Sequence, residues 1–174
     1  DRHIGFREVF EPTGDWEIVE VVGNWDDGTA QKVTADAIAV HGQFEAVVVQ
    51  GGTTGAVRAM LDAEHPLVPI AGESENGFRK LLAEYGEQGL KGTSIGQSPG
   101  MVAIAIKAAL AALDGTVMPQ LISVPIPYSN YDELEAGKNF WPELTDNFFT
   151  VNEFPPCNVN ITATEIMAKD AENQ

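Results

Sequence analysis

The chain has 174 residues, enough for one ordinary domain, and 44% hydrophobic content is enough to build a core. With 26 acidic against 10 basic side chains and a formal net charge of -16, it argues against a phosphate backbone or an anionic lipid surface as partner and leaves a neutral or cationic small molecule open. No run approaches the length of a membrane span, DRHIGFREVF is not a signal peptide, and the single Cys157 makes no internal disulfide.

Arg2 to Phe10 reads as the end of a helix whose beginning lies outside the chain, because a domain rarely opens on an amphipathic turn without a cap. Trp16 to Val22 (WEIVEVV) is strand-like and runs into the turn GNWDDG. Ala30 to Val40 then repeats apolar residues at helical spacing. The stretch from Phe44 to Met60 organises the rest. Ala46 to Val49 is apolar without alternation, which suits a strand covered on both faces, and Gly51, Gly52 and Gly55 turn it sharply into a helix. Pro66 and Pro69 bracket a buried strand at Leu67 to Ala71, followed by a helix over Asn76 to Tyr85 and a short strand over Gly92 to Gly96. Strands alternating with helices at this spacing imply an α/β fold: three layers, αβα, around a mostly parallel sheet.

Pro99 to Leu113 (PGMVAIAIKAALAAL) is apolar nearly all round, with Lys107 its only charge. Such a helix must be covered on more than one side. Either it is a central helix of this domain, or it belongs against a partner lobe or subunit. Gln120 to Ile126 can form one more strand. Tyr128 to Pro156, rich in Pro, Asn and aromatics, reads as an ordered surface excursion. ITATEIMAK carries Thr162 with Glu165 three residues on, the pattern of a capped final helix.

Ligands of open α/β sheets bind beyond the carboxyl ends of the strands. There the chain places Asn24, Trp25, Asp26 and Asp27, then Gln50, then Glu73, Ser74, Glu75 and Asn76, then Gln97 and Ser98. Amides, carboxylates and one indole along one edge suit an uncharged polyhydroxylated ligand, with the ring covering an apolar C–H face. Nothing in the set is a reaction centre. His3, His41 and His65 are scattered without metal-ligand spacing and read as surface or helix-end residues. Ser94 and Ser98 lack a nucleophile-elbow context. The pairs Asp26/Asp27 and Glu73/Glu75 offer acid–base chemistry on paper, but solvated turns of an acidic protein are the plainer reading. GGTTG has neither the Walker lysine nor the dinucleotide spacing of a phosphate loop.

Five blocks in order, RHIGF, GNWD, VVVQGGTTGAVRAM, PIAGESENGF and TSIGQSP, carry a resemblance over Arg2 to roughly Pro127. Together they resemble the C-terminal lobe of a type I periplasmic sugar-binding protein, the solute receptor of a sugar ABC transporter, similar to ribose- and galactose-binding proteins. The resemblance implies two lobes closing on a sugar, a membrane permease as partner, a bacterial periplasmic location with a signal peptide in the precursor, no cofactor and no catalysis. It implies that the N-terminal lobe and the strand before Arg2 are absent from this chain. Residues 1–127 would form the ligand-binding lobe and residues 128–174 a C-terminal extension packed on it. The helix over 99–114 would pack on the missing lobe or a partner chain, through a homodimer or an exchange between copies in the truncated form.

Residue by residue, Arg2 matches the arginine that hydrogen-bonds sugar hydroxyls, Trp25 the stacking aromatic and Gln97 the hinge-side glutamine. Glu73, ahead of Glu75, matches the acidic ligand residue, where the family usually has Gly-x-Asp. Gln50 stands at the remaining position, and here the chain departs: sugar binders commonly place an Asn-Asp pair where it has Gln50-Gly51-Gly52, which leaves the ligand's identity open. Two other functions fit the same residues. One is the effector-sensing domain of a transcription regulator or sensor, marked by a helix-turn-helix upstream. The other is an α/β enzyme acting on sugars through Glu73 and Glu75, marked by turnover that Glu73→Gln abolishes.

Overall fold

The computed structural model describes residues 2–172; residue 1 and residues 173 and 174, at the outer ends of the two expected segments, lie outside the described chain. Its centre is a four-stranded sheet in the order β1-β2-β3-β4, with helices on both sides. β1 (Val47–Val48), β2 (Ile70–Glu73) and β3 (Gly92–Ile95) run parallel, with Val47 opposite Ile70 and Ile70 opposite Gly92. β4 (Tyr128–Asn130) closes one edge antiparallel to β3, Tyr128 facing Ile95. The mostly parallel α/β architecture expected from the alternation of elements is therefore present.

The helices follow from local signals. α1 (Arg2–Phe10) occupies the first helical turns. α2 (Asp27–His41) starts where the Asp26 side chain accepts from the Thr29 N–H at 2.7 Å, which satisfies one of the donors a helix start leaves open. α3 (Thr53–Asp62) and α4 (Asn76–Tyr85) put Val57, Phe78 and Leu82 into a fully buried core with Ile70 and Leu90. Phe78 and Leu82 are four residues apart, so they share one face of α4. α6 (Ala163–Glu172) begins with the anticipated cap: the Thr162 N–H and hydroxyl donate to Glu165, and the Glu165 N–H donates to Thr162 Oγ1.

The glycines act at two contacts. Gly52 has φ +79°, and a Cβ there would lie 2.8 Å from the Ala30 Cβ; a Cβ on Gly55 would lie 1.9 Å from the Asp27 carbonyl oxygen. The turn after β1 therefore lets α3 approach the start of α2, a closer neighbour at Gly55 than the sheet expected from the sequence.

Three sequence expectations are corrected. Trp16 to Val22 makes no ladder: the segment stands outside the sheet and its side chains meet α1, Glu20 accepting from Arg7 at 2.9 Å and lying 3.4 Å from His3, Trp16 packing edge-on against Phe10. Gln120 to Ile126 is irregular, and the strand forms instead at Tyr128–Asn130, where Thr93 and Asn130 also share a side-chain hydrogen bond of 2.9 Å. His65 is no surface residue but buried, its Nε2 accepting from the Phe44 N–H at 2.9 Å. The apolar helix α5 (Val102–Leu113), preceded by the 3-10 turn Pro99–Met101, has no buried residue among the described residues; Val102, Ile106, Leu110 and Leu113 are all exposed.

The segment after β4 is ordered against the α3–α4 side of the sheet. Asn76, fully buried, donates through Nδ2 to the carbonyls of Trp141, Leu144 and Thr145 and accepts from the Trp141 N–H at 2.8 Å. Arg79 donates to Ser94 Oγ and the Asn139 carbonyl, and burial lowers its pKa to about 10. Tyr131 and Leu134 pack onto the core from the same segment.

Candidate functional site

The carboxyl edge of the sheet opens on a cleft of about 730 Å³, which Arg2, Trp25, Gln50, Glu73 and Gln97 all line. Each comes from a different element. Arg2 lies in the first turn of α1, Trp25 in the turn before α2, Gln50 just beyond β1, Glu73 at the last position of β2 and Gln97 two residues past β3. Away from this edge the cleft is apolar, continuing between the segment Trp16–Val22, the inner face of α2 at Val33 and Ala37, and β1.

Glu73 is fixed through its backbone. Its N–H donates to Thr53 Oγ1 at 3.2 Å and its carbonyl accepts from Ser94 Oγ at 3.0 Å. The carboxylate stays free of the core and meets Arg2, its partner in an ion pair, with the Glu73 side chain 17% and the Arg2 side chain 51% exposed. Trp25 is 72% exposed and sits at φ +56°. Its ring edge lies over Gly51, where a Cβ would come within 2.8 Å of Trp25 Cδ1, so only glycine lets the indole and the Gln50 turn meet. Gln97 does not cap the helix that follows: Ser98 does, accepting from the Gly100 N–H at 3.1 Å.

Glu75 has a different task, and here the plain reading of a solvated turn is wrong. Its carboxylate is buried and accepts from the N–H groups of Gly52, Thr53 and Thr54, at 2.7, 3.2 and 2.9 Å, and from the Thr54 hydroxyl at 2.9 Å. The glycine turn after β1 thus presents an anion cradle at the start of α3, as helix N-termini do, and the chain's own carboxylate fills it. The absence of a Walker lysine fits this internal use.

Asp27 lies beside the same cradle, with Oδ1 accepting from the Gly55 N–H at 3.2 Å. Burial first, and the charge of Glu75 second, raise its pKa above the ordinary aspartate value. The ionised form is thus disfavoured in the folded state. Its cost is present above the raised pKa and vanishes as pH falls below the ordinary value of about 3.9. Asp27→Asn keeps an acceptor for Gly55 and removes the charge, so its melting temperature should exceed the parent's at pH 7, with the gain disappearing below about pH 4. A variant less stable than the parent at pH 7 would show that the charge supports α2 instead.

Among the described residues no cluster of His, Cys, Asp and Glu has the geometry to hold a metal ion. Sequence reasoning named the five residues of the cleft but missed the cap at Asp26, the cradle at Glu75 and the aromatic Phe149, which lines an adjoining cavity. Only Asp26 carried a local signal, an Asp three residues before a Thr at a helix start.

A family model for the periplasmic binding protein domain matches residues 1–116. No curated protein sequence matches significantly. Among solved structures, the chain is similar to a glucose-galactose binding protein from Geobacillus stearothermophilus, at TM-score 0.68 and 15% identity over 78% of this chain and 49% of that one. It is also similar to an ABC transporter solute binding protein from Agrobacterium vitis with bound D-fucose, at TM-score 0.65 and 14% identity over 79% of this chain and 48% of that one. A third is an ABC transporter periplasmic solute binding protein from Actinobacillus succinogenes with bound D-allose, at TM-score 0.60 and 26% identity over 75% of this chain and 47% of that one. The chain spans about half the length of each of these structures.

Proposed function

The chain belongs to the periplasmic binding protein domain family, and from that premise we propose that it is the ligand-binding lobe of a solute receptor for a sugar or similar small polar solute. Residues 1–127 form the lobe, and residues 128–174 an extension packed on it. The ligand lies in the cleft between two lobes and passes to the permease of an ABC transporter in the bacterial periplasm, without chemical change. The observation that carries this reading is the meeting of Arg2, Trp25, Gln50, Glu73 and Gln97, from five separate elements, on one cleft at the carboxyl edge of the sheet. A charged pair, two amides and an exposed indole are what a ring of hydroxyls with an apolar face requires. The sugars named for two of the similar structures, D-fucose and D-allose, support the ligand class.

In this reading the exposed apolar surface of α5 packs on the second lobe, and a chain without that lobe covers it by pairing with, or exchanging it with, another copy. Closure of two lobes is a hinge motion, and small-angle X-ray scattering of the full-length protein reads it directly. A bound sugar should lower the radius of gyration and be recovered unchanged after prolonged incubation. Binding with no compaction, or conversion of the sugar, would count against a closing receptor.

A further inference from the structure

A second cavity, of about 360 Å³, adjoins the cleft and shares Arg2, Glu73 and Gln97 with it, but its far wall contains Ser74 and Phe149. Phe149 belongs to the segment beyond β4, to which the sequence assigns no role. Its backbone is bolted in place on both sides: the Asn76 N–H donates to the Phe148 carbonyl at 2.7 Å, and the Thr150 N–H and hydroxyl both donate to the Ser74 carbonyl at 2.8 Å. Phe149 itself bridges to Glu75. Its neighbour Thr150 is buried and Phe148 packs edge-on against Trp141, yet Phe149 is 41% exposed. An aromatic side chain held by a rigid backbone and kept out of the core is the usual form of a binding anchor. Beside it, Ser74 Oγ is fully buried and, among the described residues, is the buried side-chain atom without a hydrogen-bond partner.

We propose that Phe149 forms a further wall of the ligand site and covers an apolar C–H face of the bound sugar, while Ser74, its hydroxyl closed off against Gly96, keeps Phe149 in place by holding Thr150 through its carbonyl. The extension after β4 thereby determines specificity as well as covering the lobe. This rests on the sugar-receptor reading above.

The test is calorimetric titration of the full-length protein with D-glucose, D-galactose, D-fucose and D-allose, for the parent and for Phe149→Ala, Phe149→Leu, Ser74→Ala and Trp25→Ala. Losing the contact of an aromatic ring that the sugar covers should weaken the sugar that the parent binds by about tenfold or more in Phe149→Ala. Phe149→Leu, which keeps apolar bulk for folding, should weaken it by several-fold, whereas Ser74→Ala, which removes a hydroxyl out of the ligand's reach, should bind as the parent does. The melting temperatures of the two Phe149 variants without sugar should stay near the parent's, while their sugar-induced rise shrinks. Parent-like affinity in Phe149→Ala and Phe149→Leu, with affinity lost in Trp25→Ala, would overturn this inference and leave the receptor reading standing. A parent that binds none of the four sugars would overturn this inference, and the receptor reading falls with it if polyols and amino acids also fail to bind.

Discussion

Glu75→Ala should lower the unfolding free energy by about 3–5 kcal/mol, a large share of the roughly 5–15 kcal/mol that holds a domain of this size together. The reason is what the carboxylate leaves behind. Three N–H groups and one hydroxyl at the start of α3 point at it within 3.2 Å, in a site only 4% exposed. Without it those donors lose their charged acceptor and face a vacated space, and the positive end of the α3 dipole is uncompensated. α3 also carries Val57 into the core, so the loss spreads into the packing. Glu75→Gln keeps one acceptor oxygen but turns an amide donor towards other donors, and should fall between. Urea unfolding measures both. A Glu75→Ala protein within 1 kcal/mol of the parent would show that the cradle is not a structural element.

Two residues away, Glu73→Ala should do the opposite: leave stability nearly unchanged and weaken sugar binding by on the order of 100-fold. Its partner Arg2 is half exposed, so the ion pair adds little to folding. A charge-assisted hydrogen bond to a ligand hydroxyl in a closed cleft contributes about 1.5–3 kcal/mol, which is one to two decades of affinity. Competition binding against the parent protein checks it. An unchanged dissociation constant would remove Glu73 from the site, and a collapse in stability would assign it to the fold. The pair of carboxylates thus separates by experiment into one that builds the lobe and one that serves its ligand.

What the sequence made legible divides along the range of the interactions. α2, α4, α5 and α6 were visible because their signals are local: apolar spacing of three and four, the Thr162–Glu165 cap, an unbroken apolar run. The parallel sheet followed from the alternation of elements. The composition of Trp16–Val22 is β-rich, but a ladder needs a partner; the segment stands outside the sheet, with Glu20 and Trp16 turned to α1. β4 was missed because Tyr-Ser-Asn has no alternation, and its register is set by Thr93–Ile95 across the sheet. In the site, the family resemblance picked out Arg2, Trp25, Gln50, Glu73 and Gln97, and the fold brings them to one cleft. Glu75 and Phe149 were beyond reach. The first answers a glycine turn that lies on the previous strand-to-helix unit, and the second a loop at the far end of the chain. Neither link leaves a pattern in consecutive residues.

The central claim is that this cleft binds a sugar, and the most direct measurement is a tryptophan-fluorescence titration of the full-length protein against monosaccharides, polyols and amino acids. Trp25, 72% exposed at the mouth of the cleft, is the reporter, and Trp25→Ala separates its signal from those of Trp16 and Trp141. A saturable change with one sugar, lost in Trp25→Ala, is the result expected. Saturation with an amino acid alone, or no response to any sugar, would contradict the account and point to the Gln50-Gly51-Gly52 turn as the place where the site is tuned to another class of solute.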